Sequence, residues 1–331
     1  DAYNVAVGYN AGAAVTTGVR NTLIGGLAGD AMTSGVDSVA VGHNALGALT
    51  IGHNNVAIGK DALSTSVDGD YNVAVGYEAL KVYEDGDGNG FNTAVGSRSQ
   101  LSATTGEFNT SLGSLSMGAG VTTGDYNVAV GYNTGSALTS GTQNTIVGAH
   151  AGDSLTTGAN NVAIGFEALA TEDEHSFNVA VGHRALKTQN AGASAYNTAL
   201  GYNAGLSVTT GTLNTVIGGL AGDAITTGGS NTAVGQEALT AETTGSHNIA
   251  IGREASRYSA LSNRSISIGY AALQAQANSS LTDTYNIAIG HVAGSAITTG
   301  LRNTLIGGFA GDGLTTGQRN VAIGYGALSS E

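Results

Sequence analysis

The five residues NVAVG at 4–8 are echoed along the whole chain. Aligned on the closing glycine, nineteen copies begin at Asn4, Asn21, Ser38, Asn55, Asn72, Asn92, Asn109, Asn127, Asn144, Asn161, Asn178, Asn197, Asn214, Asn231, Asn248, Ser265, Asn286, Asn303 and Asn320. Fourteen of the eighteen spacings are 17 residues; the others are 18, 19, 20 and 21, and the register recovers after each. A period this short, tolerant of small insertions, marks a chain that stacks one supersecondary unit on the next. No such unit buries its apolar side alone, but neighbours share a continuous core.

With the Asn numbered as position 1, position 2 is β-branched, position 3 is mostly Ala, position 4 is Val, Ile or Leu in all nineteen copies and position 5 is Gly in all nineteen. That alternation has a strand period, and the invariant glycine suits a forced turn. A recurring TTG near positions 13–15 supplies a second turn. Each unit therefore reads as two short strands and two turns. The expected fold is all-β: a parallel β-roll or β-solenoid of about nineteen 17-residue turns, forming one continuous domain over 1–331. At roughly 4.8 Å per turn it would be on the order of 90 Å long. The Asn column at position 1 is expected to stack as a hydrogen-bonded ladder.

The second half of the unit carries a volume pattern. Where position 9 is Gly (Gly12, Gly29, Gly135, Gly152, Gly205, Gly222, Gly294, Gly311), position 12 is a large apolar residue; where position 9 is Leu, position 12 is aliphatic only at Leu49. This predicts a narrow interior holding about one large side chain at that level. The Gly-type turns occur in four pairs, starting at Tyr3, Tyr126, Tyr196 and Tyr285, and the second turn of each pair has a large residue at position 3: Leu23, Ile146, Val216 or Leu305. These are expected to widen an apolar face at set heights, where neighbouring chains grip.

NVAIG followed by xxAL or xxAG resembles the head repeats of trimeric autotransporter adhesins. The longer form, with NTAVG at 231–235 and TTG at 243–245, looks more like repeat regions of phage tail fibres and related bacterial surface fibres. The resemblance covers residues 3–328. It implies a left-handed roll with three chains joined side by side, and a role in attachment. This chain differs from the adhesin heads in its longer repeat and its aromatic columns.

Fifteen of the eighteen aromatic residues lie in two columns. One is position 6 (Tyr9, Tyr77, Tyr132, Phe166, Tyr202, Tyr270, Tyr325). The other precedes the Asn (Tyr3, Tyr71, Phe91, Phe108, Tyr126, Phe177, Tyr196, Tyr285). Both suit turn corners or contacts between subunits, and the tyrosines of the first column are candidates for glycan contact because Tyr offers an apolar ring and a hydroxyl. The stretch EDGDGNG at 84–90 has the oxygen spacing of half a calcium loop, at Asp85, Asp87 and Asn89, without the closing Glu. The insertions TEDEHSF at 171–177 and 261–285 read as surface loops able to carry receptor contacts.

The seven histidines show no paired-ligand spacing, and His43, His183 and His291 fall in the aromatic column. The glycines of GGLAGD lack the strand, loop and long helix of a phosphate site. No Ser, His and Asp set stands apart from the repeat, so an enzyme is not expected. Threonines paired in a turn, rather than spaced T-x-T along a strand, argue against ice binding.

A formal net charge of -13 disfavours nucleic acid and anionic membrane as partners. Zero cysteines exclude disulfides and thiolate metal sites. No apolar run is long enough to span a bilayer as a helix, so membrane insertion is not expected. The expected role is a fibre segment, phage or phage-like, located on a virion or outside a cell. It would form a homotrimer or an end-to-end homopolymer and bind a cell-surface glycan or protein, with calcium as the one possible cofactor. The alternatives are a bacterial adhesin head and a self-stacking extracellular filament subunit. The chain starts just before one repeat and stops within another, so it is expected to continue or to stack.

Overall fold

The computed structural model describes residues 2–84, 89–192 and 194–329. Two compact units are present, Asp1–Asn161 and Val162–Glu331. Each is an all-β parallel solenoid with about 17 residues per turn, and no helix occurs among the described residues.

The first unit stacks nine three-residue strands: Val5–Val7, Thr22–Ile24, Val39–Val41, Val56–Ile58, Val73–Val75, Thr93–Val95, Thr110–Leu112, Val128–Val130 and Thr145–Val147. Each pairs in parallel with the next turn at the same repeat position, as in Val39↔Val56 and Val128↔Thr145. The 20- and 18-residue repeats keep this register, with Val73↔Thr93 and Thr110↔Val128. The second unit stacks Val162–Ile164, Val179–Val181, Thr198–Leu200, Thr215–Ile217, Thr232–Val234, Ile249–Ile251, Ile266–Ile268, Ile287–Ile289, Thr304–Ile306 and Val321–Ile323 in the same way. It adds a short second ladder, Ala260–Asn263 with Ala277–Asp283.

Elsewhere each turn has one strand, not the two read from the sequence. The TTG side is the reason. The amides of Thr16, Thr17 and Gly18 all donate to the single carbonyl of Thr33, at 2.9, 3.1 and 3.1 Å. Three donors converging on one acceptor cannot make the alternating ladder of a strand.

The invariant glycine at position 5 is required twice over. Gly218 has φ +133°, and a Cβ there would lie 2.5 Å from the Gly235 carbonyl oxygen of the next turn. At position 9 the argument differs. Leu46, Leu63 and Leu80 take φ of 52°, 47° and 49°, close to Gly29 at 54°, so that backbone does not demand glycine.

Strand alternation puts position 3 inside. In every three-residue strand except Val5–Val7 the middle residue is buried and its two neighbours are not. Thus Ala40, Ala57, Ala163 and Ala233 line the interior with Ala45, Ala62, Ala168 and Ala238 from position 8. Leu23, Ile146, Val216 and Leu305 are fully buried as well. They do not widen an outer face as expected; they fill the interior, and the glycines beside them make room.

The limit of one large side chain at positions 9 and 12 is also overturned. Leu46 with Leu49, and Leu80 with Tyr83, are fully buried within single turns. Position 12 stays interior in Leu-type turns even where it is polar, as at Ser66, Glu172, Gln189, Glu242 and Gln276.

The Asn column is an interior ladder. Asn21 Nδ2 donates to the Gly35 carbonyl across the coil at 2.7 Å, and its Oδ1 accepts the Ser38 N–H at 3.0 Å. The pattern recurs at Asn92, Asn144, Asn214 and Asn303. Each amide thus satisfies a turn carbonyl and an amide of the neighbouring turn, groups that burial would otherwise leave unpaired.

Candidate functional site

Because Ala occupies the interior, the large β-branched residues of each strand face out. No residue at position 2 or 4 is buried in either unit. Position 4 forms a column of Val, Ile and Leu in which Leu112 is 49%, Leu200 47% and Ile306 36% exposed. Position 2 adds Val, Ile and Thr beside it. The usual distribution of strand side chains is reversed: small residues inside, large apolar ones in water.

The aromatic columns lie two residues before and two residues after this outward pair along each turn. In the column that precedes the Asn, Tyr71, Phe91, Phe108 and Tyr126 stack with centroids 4.8, 5.2 and 4.9 Å apart and planes within 12°. Phe177 and Tyr196 stack at 5.0 Å. These residues occupy left-handed backbone, Tyr71 at φ 58° and Phe177 at 65°, which is strained for aromatic residues. In the position-6 column Phe166, His183 and Tyr202 stack at 5.4 and 5.3 Å, and Tyr270 stacks on His291 at 5.2 Å. His183 and His291 are therefore rungs of the ladder.

The six candidate tyrosines are all exposed. Tyr77 lies between Lys60 and Arg98, whose charged groups sit 5.8 and 5.5 Å from its ring centre. Tyr132 meets His150 edge-on, Tyr202 stacks on His183, Tyr270 carries Arg253 at 5.9 Å, and Tyr325 meets Phe309 edge-on. Tyr9 is 77% exposed. Within the stacks, ring faces are turned to one another and edges to solvent, the arrangement that suits ring-to-ring packing.

Of the calcium-loop candidates, Asp85 and Asp87 lie outside the described residues. Asn89 is exposed and forms an isolated parallel bridge with Asp70. The segment 171–177 is not the plain surface loop expected. Glu172 and His175 occupy interior positions 12 and 15, with Glu172 fully buried and His175 8% exposed. Glu172 Oε1 bonds His175 Nδ1, and Glu172 Oε2 accepts from Gln189 Nε2 at 2.8 Å. With Asp173 these are the one grouping of three His and carboxylate side chains among the described residues whose ligand atoms lie close together. The segment 261–285 is likewise mostly solenoid, burying Ser265, Ser267, Leu273 and Gln276; only 277–283 is largely exposed. A hollow of about 340 Å³ is lined by Ser34, Ile51, His53, Asp68 and Asp70. There the His53 N–H donates to Asp70 Oδ1, and His53 Nδ1 accepts from the Val36 N–H at 3.1 Å.

Several charged groups at position 7 pair between turns, Arg98 with Glu78 and Arg184 with Glu167. Lys81 first, then Arg98, holds the Glu78 carboxyl below the usual carboxylate range; Lys187 and Arg184 do the same for Glu167. Burial pushes Glu242 up, although the N–H groups of Thr243, Gly245, Leu261 and Ser262 all donate to its carboxylate. Burial also raises Asp223.

No protein-family model matches the chain, and no curated protein matches it.

Proposed function

We propose that the chain is a structural segment of an attachment fibre, of the phage or phage-like tail-fibre kind, in which copies pack side by side as a homotrimer. It would act on a virion or outside a cell, presenting exposed residues such as those of 277–283 to a glycan or protein receptor. The observation that carries this reading is the outward column at position 4, Val, Ile or Leu in every turn. In a single chain these side chains are partly or largely exposed to water. Packing against another copy removes that area from solvent, and a continuous apolar patch on a soluble protein marks an interaction surface. The aromatic columns beside it supply rigid, large contacts of the kind enriched at interfaces. The reading includes no catalytic role.

Spin labels test it. A label at Ile251→Cys should be immobilised and show intermolecular dipolar coupling, whereas one at exposed Thr227→Cys in a TTG turn should be mobile. A freely mobile label at Ile251→Cys counts against packing through this face. The attachment role predicts that fluorescent protein binds intact bacterial cells saturably and is displaced by unlabelled protein. Non-saturable adsorption counts against that part.

A further inference from the structure

We propose that the interior carries a register code, in which position 9 of one turn is matched to position 3 of the next and so fixes which turn stacks on which. The elements shared by every turn cannot do this. Positions 1, 2, 4 and 5 are nearly the same in every repeat, so a turn that skipped its neighbour and docked on the following one would find the same strand partners, Asn ladder and glycine turn. Looping out one repeat adds a closure cost that grows only slowly with length. Discrimination must come from the side chains that differ, and at interior positions 9 and 3 they differ in matched sets.

The first set is one of volume. Position 3 is large in only four copies, Leu23, Ile146, Val216 and Leu305, and all eight position-9 glycines flank these four, one on the same turn and one on the turn before. A Cβ at Gly12 would lie 2.8 Å from Leu23 Cδ1, and one at Gly29 2.9 Å from Leu23 Cδ2. For Ile146 the distances are 3.0 Å from Gly135 and 3.3 Å from Gly152, and for Leu305 2.6 Å from Gly294 and 2.8 Å from Gly311. Leucine adopts the same backbone at position 9 elsewhere, so glycine is present here for space. Skipping the turn at Asn21 would set Gly12 against Ala40 and leave a void. Skipping the turn at Asn197 would set Leu186 against Val216, where Gly205 now makes room.

The second set is one of polarity. Gln100 and Ser256 are the hydrogen-bonding residues at position 9, and Ser111 and Ser267, the two serines at position 3, occupy the turns that follow them. Gln100 Nε2 donates to Ser111 Oγ at 2.9 Å, and Ser111 Oγ lies 2.5 Å from Ser99 Oγ. Ser256 Oγ donates to Ser267 Oγ at 2.8 Å. All are buried. A skipped turn would set Gln100 against an alanine methyl and strand a buried amide. Each unit thus holds three marked pairs of turns: those starting at 4/21, 92/109 and 127/144, and at 197/214, 248/265 and 286/303.

The chain has no cysteine, so introduced pairs can report which turns are neighbours. Thr93 and Thr110 are register partners. Neighbouring strands bring Cα atoms roughly 4.8 Å apart, inside the disulfide range of about 4.4–6.8 Å. Thr93 and Val128 become partners only if the turn at Asn109 is skipped. The full chain is unfolded, reduced, and oxidised as it refolds, with the Thr93→Cys/Val128→Cys yield expressed relative to Thr93→Cys/Thr110→Cys in the same background. The parent should give the skipped pair only at background. Moving the mark by one turn, Ser111→Ala with Ala129→Ser, offers Gln100 a hydroxyl only in the skipped register and should raise that ratio about tenfold. An unchanged ratio overturns the code. A double-mutant cycle on Gln100→Leu and Ser111→Ala gives a second readout: the code requires coupling of about tenfold in the folding equilibrium, and additive effects overturn it.

Discussion

Asn214 Nδ2 donates to the Gly228 carbonyl at 2.9 Å across the coil, and Asn214 Oδ1 accepts the Asn231 N–H at 3.0 Å from the next turn. One fully buried amide thus serves two turns. Replacing it by alanine strands a carbonyl and an N–H, so Asn214→Ala should cost on the order of 2–4 kcal/mol in chemical denaturation. Asn214→Asp should be worse than alanine at pH 7, because it keeps the acceptor but brings a buried negative charge to the Gly228 carbonyl. Equal stability of parent and Asn214→Ala would mean that water replaces the ladder.

Gly218 and Gly219 are adjacent but not equivalent. A Cβ on Gly218 meets the Gly235 carbonyl oxygen at 2.5 Å with φ at +133°, whereas nothing lies within 4 Å of one on Gly219. Gly218→Ala should lower stability by roughly 3 kcal/mol or more. Gly219→Ala should stay within about 0.5 kcal/mol of the parent. Thermal melts of the two variants side by side check this, and similar losses in both would contradict it.

Glu167 and Glu242 should respond to pH with opposite signs. Glu167, beside Lys187 and Arg184 at 2.6 and 2.7 Å, titrates below the ordinary carboxylate value when folded. Its stabilisation is present above that value and is lost as pH falls through the lowered one. Glu167→Gln should therefore cost up to about 1 kcal/mol at neutral pH and little in strong acid. Glu242 is raised by burial, so its contribution is greatest below the ordinary value and is lost as pH rises through the raised one. Side-chain carbon NMR titrations should place Glu242 above and Glu167 below an exposed glutamate; the reverse order would contradict both assignments.

The repeat, its turn glycine and the Asn column were legible in the sequence because each obeys one local rule nineteen times or nearly so. What was hidden depended on which side of a short strand faces in. Alternation alone cannot say whether Ala40 or its neighbours Val39 and Val41 are buried, and ordinary preference favours the larger residues. The coil is too narrow for that preference, so alanine goes inside. Leu23 therefore fills the interior instead of gripping a neighbour. The second strand failed because carbonyls of the TTG side, such as those of Thr33, Thr156 and Thr226, each take two or three amides, a geometry no residue pattern advertises. Glu172 and His175 looked like a charged loop because their composition is polar; only the register shows that they fill positions 12 and 15 of the interior.

The outward column at position 4 is the surface on which the proposed function rests. Lysine at Leu200, Ile251 and Ile306 touches no interior contact and should cost the folded chain little, since these side chains are 47%, 38% and 36% exposed. Sedimentation equilibrium of the parent and of the Leu200→Lys/Ile251→Lys/Ile306→Lys variant is the most direct measurement. The account predicts a parent mass three times that of the 32.6 kDa chain and a variant that is folded but monomeric. A monomeric parent, or a variant with the parent's mass, would contradict it.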